Sequence, residues 1–222
     1  MLKVKGRGGA GRGGERGFSL IELMVALGVT LIIMVVASKL LAMSMFVRQR
    51  ERQRSEAVAD VQRALQSMSR EISNAGLGLR NNGLVDADSD DLAIRIRSNL
   101  NAFCGGGGAC DADTSDPGED VVFTLINNTT AVTGGNQRLI TRQDVNNSNA
   151  ISALANRIDS LSFEYVRPDG VTTTDASLAQ KVKINVTVTL PAVGTAGQAG
   201  YQPASQMQLT SEAVLRNLLL DK

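Results

Sequence analysis

Gly17-Phe18-Ser19-Leu20-Ile21-Glu22-Leu23 decides how the chain is read. A basic stretch precedes it and a long apolar run follows it. From Leu23 to Ser38 there is no charged residue, and after Lys39 the run resumes as Leu40-Leu41-Ala42-Met43-Ser44-Met45-Phe46-Val47. A bilayer core is about 30 Å thick, so roughly 20 helical residues cross it. The run is long enough. An ionisable side chain inside such a segment is expensive and marks a function or a partner. Glu22 is that side chain, four residues after Phe18. An ordinary signal anchor with a stray acid is the plainer alternative. It does not account for Gly17, Phe18 and Glu22 falling in one register.

Behind Val47 the helical pattern continues. Val58, Val61, Leu65, Met68, Ile72 and Ala75 recur at spacings of three and four, which is one apolar stripe down a helix. No proline occurs before Pro117, and Gly76 and Gly78 supply the stop. A helix from Phe18 to Ala75 would be ~87 Å long at 1.5 Å per residue. Its first half is apolar all round and its second half amphipathic. A coiled-coil seam would use the same spacing, but three heptads ending in alanine are short for one.

From Leu77 the composition changes to strand-like alternation. Leu92 to Ile96, Val121 to Ile126, Arg138 to Arg142, Ile158 to Val166 and Met207 to Leu215 read as strands. Lys181 to Leu190 is the clearest, with Val182, Ile184, Val186, Val188 and Leu190 on one face. Ile151 to Ala155 reads as a turn of helix. The expected fold class is α+β, a long N-terminal helix packed by its stripe on an antiparallel β-sheet head.

At residues 17 to about 47 the sequence resembles the prepilin signal of type IV pilins and type II secretion pseudopilins. That signal is a glycine, then Phe-Ser/Thr-Leu-Ile-Glu, then an apolar helix. The later segments Ser69-Arg70-Glu71-Ile72, Ala75-Gly76, Asp90-Asp91-Leu92-Ala93-Ile94, Leu161-Ser162-Phe163-Glu164-Tyr165 and Leu215-Arg216-Asn217 are similar in order to PilW-type minor pilins and J-type pseudopilins. The resemblance implies cleavage by a prepilin peptidase between Gly17 and Phe18, and methylation of the new Phe18 amine. It implies that Glu22 faces such an amine, its own or a neighbour's, during assembly. Residues 1–17 would then be a cleaved basic leader. Residues 18–47 would be a transmembrane and filament-core helix, 48–75 its amphipathic continuation, and 76–222 the head. Major pilins often carry a proline near the position of Lys39, so melting of the helix there is not implied.

The implied function is that of a minor pilin assembling into, or priming, a type IV pilus. A J-type pseudopilin of type II secretion is the nearer alternative. A membrane-anchored β-rich receptor or enzyme is the remoter one. Implied partners are other pilins, the peptidase, the inner-membrane assembly platform and lipid. The implied location is the bacterial inner membrane with the head periplasmic, then the filament. Charge counting does not fix this orientation. The leader holds Lys3, Lys5, Arg7, Arg12 and Arg16, while Arg48, Arg50, Arg52 and Arg54 follow the run. These four arginines read as grips on lipid headgroups or as partners for acids on neighbouring subunits.

Composition narrows the rest. The 222 residues carry a net charge of +1, and the leader's five cations against Glu15 give it +4, leaving −3 for the remainder. Neither balance suggests a nucleic-acid-binding head. The Gly-Arg leader resembles an RNA-binding tail in composition only, and a cleaved leader explains it. With no histidine there is no histidine base, and there is no Gly-x-Ser-x-Gly elbow or phosphate loop, so no catalytic set is expected. Cys104 and Cys110 enclose five small residues and, in an extracytoplasmic head, read as a disulfide; half a zinc site is the poorer alternative. Asp86, Asp88, Asp90 and Asp91, and Asp111, Asp113, Asp116, Glu119 and Asp120, flank this loop. Calcium is a weak candidate at Asp86, Asp88, Asp90, Asp111 and Asp113. Neither cluster has the sixth-position glycine or twelfth-position glutamate of a calcium loop. No other cofactor is expected.

Overall fold

The computed structural model describes residues 17–102, 113–127 and 138–219. One long helix, α1 (Leu20–Ser73), opens the described chain. The chain divides into two compact units, Met1–Met45 and Phe46–Lys222. In the first, nearly every described side chain of α1 is exposed.

The second unit holds the core. Within it α1 buries Val61, Ala64, Leu65, Met68 and Ile72, and Ala75 is buried just beyond its end. These follow the three-and-four stripe; the neighbouring positions that face away are polar. Eight strands complete the unit: β1 (Ala93–Arg97), β2 (Asp120–Asn127), β3 (Arg138–Asp144), β4 (Ala150–Ile158), β5 (Ser160–Val166), β6 (Thr172–Thr173), β7 (Lys181–Leu190) and β8 (Ser205–Val214). Among the described residues they form two four-stranded sheets. One runs β1-β2-β3-β4 and the other β6-β5-β7-β8, with every pairing antiparallel. The core joins the helix stripe to Ile94, Phe123 and Ile140 of the first sheet and to Leu161, Phe163, Val182, Ile184 and Val186 of the second. Val182 to Leu190 alternate buried and half-buried without a break, as a strand with one face in the core must.

Polar ties hold α1 to both sheets. Arg142 of β3 donates through Nε to both carboxylate oxygens of Glu71, at 3.0 and 2.9 Å. The Ser69 and Ser211 hydroxyls meet at 2.8 Å. Past β8, Asn217 Nδ2 donates to the Asn74 and Ala75 carbonyls, answering acceptors that the helix end leaves open.

The chain leaves α1 through a close backbone crossing. Gly76 has φ +77°, and its N–H donates to Arg97 O at 2.9 Å. Gly83 (φ +72°) lies against it. A Cβ on Gly83 would stand 2.0 Å from Gly76 N and 2.3 Å from Arg97 O. Only glycine fits. Next to it, buried Asn82 donates to Ala176 O and Ala179 O and accepts from Leu84 N, so it is satisfied on both sides of its amide.

Two expectations are corrected. Ile151 to Ala155 is strand, not a helical turn: it lies inside β4. The segment hides its period because β4 is an edge strand with irregular register against β3, and only Ala155 and Ile158 in it are buried. The head holds two sheets rather than one. The expected strand beginning at Ile158 is divided by a corner at Asp159, where the Asp159 N–H donates to Thr187 O and the chain passes from one sheet to the other.

Gly83→Ala is expected to destabilise the detergent-solubilised protein by at least about 3 kcal/mol, because backbone must move. Gly170 has φ +81° but open space around it, so Gly170→Ala should cost only about 1 kcal/mol. Chemical denaturation followed by circular dichroism measures both.

Candidate functional site

The helix begins inside the sequence signature. Gly17, Phe18 and Ser19 precede α1, and Leu23 N–H donates to Ser19 O at 3.1 Å in its first turn. Gly17 has no heavy atom near its Cβ position, and Phe18 is 84 % exposed. Glu22 stands in the first turn of α1, where the N-terminal end of the helix dipole favours a negative charge. This arrangement leaves the peptide bond before Phe18 unpacked among the described residues. It also leaves the Glu22 carboxylate without a partner among the described residues. Further along, Thr30 Oγ1 donates to Ala26 O at 2.6 Å and Ser38 Oγ to Met34 O at 2.8 Å, each within the helix. Among the described residues α1 is the one helix long and apolar enough to cross a membrane.

The four arginines after the run do not behave alike. Arg50 is half-buried and reaches protein, not solvent. It donates to Pro191 O, to Pro203 O at 2.8 Å and to Ser205 Oγ at 2.6 Å. It thereby fastens both ends of the segment between β7 and β8 to the helix, so its lipid-headgroup reading does not hold. Arg52 pairs with Glu56 at 2.8 Å on its own helix. Arg48 and Arg54 have no ion pair among the described residues. Sequence gives no hint of the Arg50 contacts, because their acceptors, two main-chain oxygens and one hydroxyl, lie 141 to 155 residues away.

In the acidic clusters Asp86, Asp88, Asp90, Asp113, Asp116, Glu119 and Asp120 are tied to protein donors. Asp86 accepts from Ala176 N at 2.7 Å, and Asp90 from Leu92 N and Ala93 N. Asp88 pairs with Arg95 at 2.6 Å, and Asp113 accepts from Ser115. Buried Glu119 accepts from Leu100 N and Asp116 N. The hub is Asp120, whose side chain is 5 % exposed and takes Arg95 at 2.7 and 2.8 Å and Arg97 at 2.8 Å. Among the described residues no three acids gather as a metal cage would need. Cys104, Cys110 and Asp111 lie outside the described residues. Tyr165 donates to Asp90 O at 2.9 Å, and its burial pushes its pKa far up, which keeps it a neutral donor.

Residues 12–38 match the prokaryotic N-terminal methylation motif. No curated protein matches the chain. The motif is characteristic of type IV pilin-like proteins, and it spans the cleavage signature and the apolar start of α1. Together with a long N-terminal helix on an antiparallel β head, this is the pilin-like α+β fold. By length and composition the apolar helix is consistent with a membrane-spanning or signal region.

Burial acts to raise the Asp120 pKa, but the hydrogen bonds and charges of Arg95 and Arg97 prevail and hold it below the usual carboxylate value. Its contribution is therefore complete above the unfolded pKa of ~3.9 and is lost as pH falls through the lower folded value. Asp120→Asn should lower stability by about 3 kcal/mol at neutral pH, since it leaves Arg97 without its carboxylate and Arg95 with Asp88 alone. The gap to the parent should stay level from pH 7 to about 5 and narrow as pH falls below the unfolded value of ~3.9. Denaturant titration at several pH values checks this.

Proposed function

We propose that this protein is a minor pilin, held in the inner membrane by α1 and assembled into, or priming, a type IV pilus. The observation that carries the reading is Glu22, the one acid in the first half of α1, placed four residues past Phe18 within the methylation motif. A carboxylate in apolar surroundings costs several kcal/mol unless it finds a partner or a proton. The amine created by cleavage between Gly17 and Phe18 is the matching cation. It lies one helical turn away on the same chain, or at the same level on a neighbour. Residues 1–17 then leave as the leader, residues 18–47 serve as membrane and filament helix, and the head makes lateral contacts with other pilins. The methylation motif equally supports a type II secretion pseudopilin, the second reading, in which the same helix enters a different filament.

Mass spectrometry of the native protein should find methylated Phe18 as the first residue. An N-terminus at Met1 with an intact Gly17–Phe18 bond would sink the reading. Glu22→Ala should leave cleavage largely intact and abolish incorporation into sheared filaments. A strain lacking the protein should lose surface pili and keep enzyme export; loss of export with pili retained would select the pseudopilin.

A further inference from the structure

A cleft of about 380 Å³ opens in the second unit between α1 and the ends of β4 and β7. Three features of it point to a ligand. The first is Arg157, which sits within β4 at φ +59°, a left-handed conformation rare for a side chain of its size. The β3–β4 register shifts there: Arg138 pairs with Ile158 and Leu139 with Asn156, so Arg157 is the extra residue of a bulge. Bulges re-aim side chains, and strain of this kind collects at binding sites. The second feature is charge. On the helix wall Glu56 is closed by Arg52 and Asp60 by Arg63. Arg157 is exposed, and its guanidinium has no ion-pair or hydrogen-bond partner among the described residues. The third is Gln53 Oε1, a buried acceptor at the cleft with no donor. An unanswered buried acceptor is costly, and a donor from outside would recover that cost.

From the free guanidinium, the orphan acceptor and the open strand edge we infer that this cleft binds an extended acidic peptide segment of a partner protein. A carboxylate answers Arg157, and a main-chain N–H answers Gln53 Oε1. The segment is extended because β4 ends its sheet, leaving its outer edge unpaired beside the cleft among the described residues. Strand addition at such an edge supplies main-chain hydrogen bonds. Ala57, Val188 and Leu190 give an apolar lining for alternate side chains. The volume lies at the small end of ligand sites, enough for a short segment. This site concerns Phe46–Lys222 alone and does not depend on which filament, if any, the protein enters.

The test is fluorescence anisotropy of the full chain in detergent micelles with three labelled ten-residue peptides. One alternates Thr with Asp, one Thr with Lys and one Thr with Asn. The acidic peptide should bind at least about ten-fold more tightly than the other two. Arg157→Gln should erase that preference, Arg157→Lys should keep part of it, and Arg80→Gln, outside the cleft, should leave it unchanged. Gln53→Leu should weaken the acidic and neutral peptides alike. Circular dichroism verifies that each variant is folded. Equal binding of acidic and basic peptides, an unaltered preference in Arg157→Gln, unaltered affinity in Gln53→Leu, or no binding at ~1 mM peptide would each overturn the assignment. So would self-association, seen by sedimentation, that depends on Arg157 in the absence of peptide binding. That outcome would give the cleft to a second copy of the chain.

Discussion

The second unit depends on one contact, the stripe of α1 from Val61 to Ala75 lying against two sheets at once. Met68, Ile72 and Ala75 are fully buried, and so are Ile94, Phe123, Ile140 and Ile184 from the strands they meet. Neither sheet has enough area to close a core on its own; each has four strands, and β6 is only two residues long. The helix therefore serves as the shared wall of both. Glu71 and Ser69 flank the stripe and fix its rotation by reaching β3 and β8. A helix turned by one residue would lose both polar ties together with the apolar fit.

Much of this was legible in the sequence because periodicity reports burial directly. The stripe appears at its spacing, and β7 coincides with the expected Lys181 to Leu190 because its alternation is unbroken. β4 was missed for the opposite reason. It is an edge strand with a bulge, so its burial has no period to read. The split into two sheets was hidden in the single residue Asp159, whose role is a main-chain hydrogen bond and not a side-chain pattern. The N-terminal signature was plain, since Gly17, Phe18 and Glu22 stand at set positions in one segment, the one that the methylation motif covers. The contacts of Arg50, Asn82 and Asn217 and the bulge at Arg157 had no pattern to read. The partners are mostly main-chain atoms distant in sequence, and at Arg157 the signal is a backbone angle.

The acids show how composition misleads. Nine acidic residues near one loop suggest a cation site by count. In the fold Asp86, Asp88, Asp90, Asp113, Glu119 and Asp120 divide among N–H groups, a hydroxyl and guanidiniums. Asp120 alone draws two arginines from β1, while Asp86 and Asp90 hold turns. Local acid density is spent on shaping the connections around β1, where the chain makes its tightest backbone crossing at Gly76 and Gly83.

The hydroxyls of Thr30 and Ser38 turn inward to carbonyls of their own helix. Each thereby becomes nearly silent to its surroundings, because its hydrogen-bond need is met without a neighbour. Along Leu23 to Ser38 the segment then presents one uniform apolar coat. Its free energy changes little between lipid tails and the side chains of other helices, which are equally apolar. Such a segment would exchange one greasy environment for another without breaking a bond of its own. What such an exchange would cost then falls on the charged groups at its ends, Glu22 and Lys39.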